Sequence, residues 1–311
     1  MLTVFNVVAP VFAIVAFGYL AVRLKLYPAS GVPGLISFVN NFATPFLLAR
    51  AMLSVDFGSA FDPGILSGFY VAAFIVFALG ILLARLVFKH RPGQAITTGF
   101  SATFSNTVLV GIPIIGRAYG LDATPVIFSI IGLHAPILMT AAMIIMEVAR
   151  RDGGSVTAAF RQGVIRALTN PLFIGILAGL LGNLAGVELP EPADAFTLMM
   201  AQAVLPVALF GLGGGLNEYR LQENWLPAAA TSLMKLILLP AIAWLLMVPV
   251  LGVDHDVARY AVVLAAMPSG LNVYVFATFF DRGVGHAANT VLISTILSVV
   301  TVSGWLYLMT L

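Results

Sequence analysis

At 311 residues the chain is long enough for two soluble domains, but 60% of its residues are hydrophobic and only 9% are charged, against about 45–50% and about 25% in ordinary globular proteins. So few charges could not cover a water-soluble fold of this size, and the composition predicts a polytopic membrane protein. The net charge of +2 gives no reason to expect a nucleic-acid partner, and the lack of cysteine excludes a disulfide framework or a thiolate metal site.

From the N-terminus, an apolar run precedes the first positive charges, Arg23 and Lys25. A cleaved secretory signal has the reverse order, so residues 3–22 are expected to stay as a first membrane span. Apolar runs long enough for membrane helices follow at 33–54, 64–88, 94–118, 123–149, 166–186, 195–216, 225–250, 258–280 and 286–310. Ten spans in a lipid bilayer are therefore predicted, joined by short connections that hold most of the charge. Loops after odd-numbered spans carry Arg23, Lys25, Arg85, Lys89, Arg91, Arg150, Arg151, Arg161, Arg166, Arg220 and Arg282. Loops after even-numbered spans are mainly acidic, with Asp56, Asp62, Glu188, Glu191, Asp194, Asp254 and Asp256. By the positive-inside rule the odd loops face the cytoplasm and both termini lie outside.

A weak internal repeat overlays this pattern. Asn106 recurs as Asn272 and Pro45 as Pro206, at separations near the length of five spans. Residues 1–154 and 155–311 then form two five-span halves of opposite orientation, with the basic segment 150–166 as the joint. All-α inverted repeats with interrupted helices at matching positions point to a secondary transporter.

The interruptions are the richest signal. In the fourth span, FSNTVLVGIP (Phe104 to Pro113) places Ser105, Asn106 and Thr107 ahead of the helix-weakening Gly111 and Pro113. In the ninth, MPSGLNVYVF (Met267 to Phe276) places Pro268, Ser269 and Gly270 ahead of Asn272 and Tyr274, which project to opposite sides of the next turn. Non-helical backbone at membrane depth survives only inside protein or beside a wet cavity. A freed half-helix N-terminus with an amide and hydroxyls can hold a carboxylate. The bland reading is a pair of proline kinks with Ser and Thr bonded to their own backbone. Two kinks at matched positions, each with an asparagine, favour a shared site.

Other candidates are single residues. His134 is an ionisable group in mid-span, able to carry a proton or touch an anion, or else to serve as a neutral structural histidine. Lys235 could fix an anion or hold a helix C-terminus, although snorkelling or anchoring is the plainer expectation. Arg50 reads as an interfacial anchor, and Pro45, Pro206 and the glycines of Gly211–Gly215 as packing features. Apart from Glu147 near a span end, no carboxylate falls within a span, so the coupling ion, proton or sodium, stays open. No cofactor or metal is expected.

SNTVLVGIP followed by PSGLNVYVFA resembles the auxin efflux carrier family, whose bacterial members include malonate-type carriers. The resemblance implies a fold similar to bile-acid and sodium–proton transporters, in a bacterial inner membrane. Spans 1, 2, 6 and 7 would form a scaffold, and spans 3–5 and 8–10 a moving transport domain. Crossed helices 4 and 9 would bind a small organic anion through Asn106, Ser105, Thr107 and Asn272, with elevator-type alternating access and a homodimer as the expected mode and assembly. The alternatives are a membrane-embedded enzyme, for which the spans lack a nucleophile–base pair, and a transporter-like sensor or channel.

Overall fold

The computed structural model describes residues 2–54, 62–120, 124–150, 168–218 and 225–309, with positions 157, 161 and 165. Most of the basic segment 150–166, the 154/155 boundary, Asp56 and Arg220 lie outside the described residues. Among the described residues the fold is all helix, with one isolated backbone bridge and no strand. The helices are α1 (Leu2–Arg23), α2 (Val32–Phe38), α3 (Thr44–Leu53), α4 (Pro63–Leu86), α5 (Pro92–Ser101), α6 (Ile112–Tyr119) and α7 (Thr124–Arg150). The second half of the chain supplies α8 (Pro171–Leu184), α9 (Glu191–Gly215), α10 (Trp225–Leu233), α11 (Leu239–Leu245), α12 (His255–Ala265), α13 (Asn272–Phe280) and α14 (Val284–Leu308).

Local chemistry sets the starts. Asp62 accepts from the N–H groups of Gly64 and Ile65, Asn170 from Leu172 and Asp254 from Asp256. Each caps orphan donors of a first turn. Pro63, Pro92 and Pro171 occupy first helical positions, where the missing N–H costs nothing.

Internal prolines have a less familiar effect. Residues 39–43, 107–111 and 234–238 form π-turns, each ending two residues before Pro45, Pro113 or Pro240. In each, the residue before the proline donates to the fifth carbonyl back: Thr44 to Val39, Ile112 to Thr107 and Leu239 to Met234. The extra residue relieves the clash between the proline ring and the preceding turn without ending the helix. Pro206 differs, lying within the uninterrupted α9.

Among the described residues, seven helical stretches are long and apolar enough to cross a membrane: Val4–Arg23, Ala29–Leu53, Pro63–Leu86, Val126–Ala149, Glu191–Glu218, Trp225–Val250 and Val284–Leu308. Of the ten expected spans, 94–118 and 258–280 are divided into shorter helices, and the described part of 166–186 is the short apolar α8. Exposed Phe5, Phe17, Leu20, Val71, Leu79 and Val300 give the outer faces the apolar character lipid requires.

Glycine permits the closest helix pairs. Gly18 lies under the Phe210 carbonyl and Gly213 under that of Val15, joining α1 to α9. Gly175 and Gly179 do the same for α8 against Pro45 and Ala49 of α3. A Cβ at any of these would meet backbone, so small residues set the spacing. Arg50, expected to anchor at the interface, links α3 to α9: it pairs with Asp194 and donates to its carbonyl and to the Thr197 hydroxyl.

Candidate functional site

α5 ends at Ser101 and the next π-turn begins at Thr107, while α12 ends at Ala265 and α13 begins at Asn272. The two intervening stretches run side by side. Ser105 and Ser269 form an antiparallel bridge, the Asn106 N–H donates to the Pro268 carbonyl at 2.7 Å, and the Gly270 N–H donates to the Phe104 carbonyl at 2.9 Å. Backbone groups that would be orphans at both interruptions thus satisfy each other. Gly270 is needed here, because a Cβ would come within 2.9 Å of the Phe104 ring.

Asn106 has a divided task. Its Oδ1 accepts from the Leu109 N–H at 3.3 Å and caps the half-helix, while its Nδ2 is buried without a protein partner. The Ser105 Oγ is buried and unpartnered as well. Its N–H donates to His134 Nε2 at 3.0 Å. Accepting that bond requires Nε2 without a proton, so the ring is neutral with the proton on Nδ1, which has no partner. The histidine ring packs against Phe104 and Phe69, with centroids 4.7 and 5.8 Å away.

These groups border a cavity of about 700 Å³. Among the sequence candidates, Ser105, Asn106, Thr107, His134, Gly270, Asn272 and Tyr274 line it. Asn272 and Tyr274, expected on opposite sides of a turn, both border it because the cavity wraps the start of α13. Gly111, Pro113, Pro268, Ser269 and Lys235 are not on its wall. Gly111 packs against Leu264, with room for no Cβ (2.7 Å to its side chain), and Pro113 follows the π-turn as described. Ser269 spends its hydroxyl on the Ser101 carbonyl at 2.7 Å and its N–H on the Ser294 Oγ at 3.1 Å.

Lys235 neither snorkels nor faces the cavity. It is fully buried, and its Nζ donates to the carbonyls of Ala265 and Met267 at 2.6 and 2.7 Å. Those carbonyls sit where α12 ends, so the ammonium satisfies open acceptors and opposes the negative end of that helix dipole. The π-turn around Lys235 is tied to α14 by the Trp305 indole, which donates to the Leu236 carbonyl at 2.9 Å.

The opposite wall had weaker signals. Asn40 and Asn41 come from the π-turn before Pro45, Asn170 from the start of α8, and Glu218 from the end of the α9 segment. In sequence the Asn pair is only a polar spot near Pro45, and Asn170 a residue suited to cap a helix, which it does. No lysine or arginine borders the cavity among the described residues. Its polar groups are amides, hydroxyls, one neutral imidazole and, at one margin, Glu218.

Comparison with known proteins places the sequence in a lineage. A family model described as "Membrane transport protein" matches residues 3–306. A Rhizobium meliloti protein named "Putative malonate transporter" is 28% identical over 99% of this chain and 96% of its own length. Auxin efflux carrier component 8 of Arabidopsis thaliana is 22% identical, covering 100% of this chain and 99% of that protein. The mouse lysosomal cholesterol signaling protein is 28% identical over 95% of this chain, which spans 36% of that longer protein. The chain belongs to the membrane transport protein family that includes the auxin efflux carriers.

Proposed function

We propose that the protein is a secondary transporter that moves a small organic anion across the bacterial inner membrane, with the carboxylate held where the two interruptions meet. The observation that carries this reading is the coincidence at one cavity of unpartnered, buried Asn106 Nδ2 and Ser105 Oγ with a half-helix start. Burying an amide or hydroxyl without a partner costs about 1–3 kcal/mol, a cost a ligand oxygen would remove. The relative named for malonate makes a short carboxylate such as malonate the first substrate to try, and the auxin carriers make auxin the second. With neutral donors on the wall, the site suits one carboxylate group at the crossing and the remainder of the substrate against Val108, Leu109 and Ile131.

In this reading the chain has ten spans in two inverted halves, residues 1–154 and 155–311, and the fourth and ninth are broken helices crossing near the midplane. The tight pairs α1–α9 and α3–α8 belong to the scaffold, and the body carrying α5 and α12 slides against it in an elevator-type cycle. Asn40, Asn41 and Asn170 lie on the scaffold wall of the cavity, so the substrate sits between the two bodies. Val32, Thr169 and Glu218, which line the cavity, adjoin odd-numbered loops in the chain. With both termini outside, the margin they form opens toward the cytoplasm. Whether a proton or sodium accompanies the substrate is a matter for transport in imposed gradients; His134 is the group through which a proton would act.

Radiolabelled malonate counterflow in proteoliposomes tests the reading. Accelerated exchange on preloading with unlabelled malonate, lost in Asn106→Ala protein that inserts and unfolds normally, is the expected result. Flux without counterflow would indicate a channel, and unchanged exchange in the variant would remove Asn106 from the site.

A further inference from the structure

His134 belongs to the stripe of α7 that borders the central cavity, with Ile131 and Ala135 beside it at helical spacing. Its ring is tightly held. Phe69 and Phe104 pack against it, and the Ser105 N–H donates to Nε2. One turn earlier the Tyr70 hydroxyl donates to the Ile130 carbonyl at 2.8 Å, which ties this part of α7 to α4. A half-turn of the ring would set a carbon against the Ser105 N–H, so that bond fixes the orientation.

The tautomer follows from the orientation. Nε2 accepts, so the neutral ring carries its proton on Nδ1, and Nδ1 is a donor. That nitrogen is buried with no protein partner. A histidine kept only for packing gains nothing from an unmatched N–H, which costs stability.

Asn106 shows the same division of labour. Its Oδ1 serves the Leu109 N–H and its Nδ2 is left over, as His134 spends Nε2 on Ser105 and keeps Nδ1. The open Ser105 hydroxyl completes the set. The three residues touch, since Ser105 adjoins Asn106 in the chain and is bonded to His134. Each is more than nine-tenths buried and lines the cavity. Asn106 Nδ2 and His134 Nδ1 can only donate, while the hydroxyl adapts. Such a set calls for a ligand group that brings several acceptors and no hydrogen of its own, as an ionised carboxylate does.

We propose that His134 is a substrate ligand, its Nδ1–H donating to the same carboxylate that Asn106 Nδ2 and Ser105 Oγ hold. The assignment rests on the transport reading and gives His134 a part in it that carrying a proton does not. A proton arriving on Nε2 would displace the Ser105 N–H. Donation from Nδ1 leaves that bond in place and strengthens it, because a carboxylate drawing on Nδ1–H makes Nε2 the better acceptor. Substrate binding thus tightens the tie between α7 and the interruption after α5.

Nitrogen NMR of the purified full-length protein, carrying isotope-labelled histidine, reads both ring nitrogens, with malonate and auxin as probes. The chain has 4 histidines, and the signals missing from His134→Gln protein are those of His134; His134→Asn serves if that variant does not fold. Expected are a proton on Nδ1 and none on Nε2 in the free protein, and a shift at Nδ1 when either probe saturates the site. Affinities then separate a ligand from a prop. In His134→Gln the side-chain carbonyl can accept from the Ser105 N–H in place of Nε2, but nothing replaces Nδ1–H. Its Tm should stay within about 2 °C of the parent value, with malonate bound roughly 10- to 100-fold more weakly. His134→Asn keeps an amide donor near the place of Nδ1 and falls short of Ser105, so its Tm should drop while its affinity exceeds that of the glutamine variant. A proton on Nε2, an Nδ1 signal unmoved while a probe binds, or full affinity in His134→Gln overturns the assignment and leaves the transport reading standing. If the parent protein neither binds nor exchanges either probe, the transport reading falls and the assignment falls with it.

Discussion

The two interruptions that meet at the crossing look alike in sequence and are built differently. Around residues 266–271 nearly every polar group has an internal partner: Lys235 holds the carbonyls of Ala265 and Met267, and Ser269 is bonded through both its hydroxyl and its N–H. Around residues 102–106 every backbone N–H has a partner, yet Ser105 Oγ and Asn106 Nδ2 are left open. One interruption is braced, the other presents donors. A crossing point in a transporter needs both, since a ligand can be gripped only by groups that something rigid keeps in place.

The largest expected effect breaks the open side. Asn106→Asp retains the oxygen that caps Leu109 but replaces the free donor with negative charge. Loss of one hydrogen bond to a carboxylate, about 3 kcal/mol, corresponds to about a 100-fold fall in affinity, and repulsion adds to it. Malonate binding and counterflow should both disappear while the unfolding temperature stays near the parent value. Retained binding would show that the free amide is not a ligand donor.

The braced side should fail in the opposite manner. Lys235→Met leaves two carbonyls at the end of α12 without their cation. Destabilisation of about 3 kcal/mol is expected, measured as a lower unfolding temperature and reduced yield of folded protein. If Lys235→Met proved as stable as the parent and lost only substrate affinity, the lysine would act on the anion after all and the contrast between the two sides would collapse.

How much of this was visible beforehand depends on how local the determinant is. The interruptions were legible because Ser, Asn, Gly and Pro in an apolar run conflict with an uninterrupted membrane helix, and that conflict is contained in ten residues. Which interruption keeps free donors was not legible. Ser105 and Ser269 occupy equivalent places, and only the path of Ser101 and Ser294 beside the second decides that its bonds are filled. Lys235 reaches carbonyls 30 and 32 residues downstream, a separation no spacing rule reports. The π-turns were hidden for another reason. Pro45 and Pro206 match in the repeat expected from sequence, yet the first follows a π-turn and the second sits in continuous α-helix. A proline fixes what cannot form, and packing chooses between the remedies.

The serine pair gives the smallest effects and the sharpest separation, because bridge partners are compared within one fold. Ser269→Ala removes the bond to the Ser101 carbonyl, for which a loss of about 1–2 kcal/mol is expected, with malonate affinity unchanged. Ser105→Ala deletes a hydroxyl that has no protein partner, so stability should stay within about 0.5 kcal/mol of the parent or rise slightly. Its affinity should fall several-fold, since Ser105 lines the cavity and its hydroxyl is left for a ligand. Thermal unfolding and malonate titration of both variants form a two-by-two test, in which each serine moves one readout and leaves the other. Equal loss of stability in the two would mean that Ser105 Oγ has an internal partner in solution, and the open side would then be reduced to Asn106 alone.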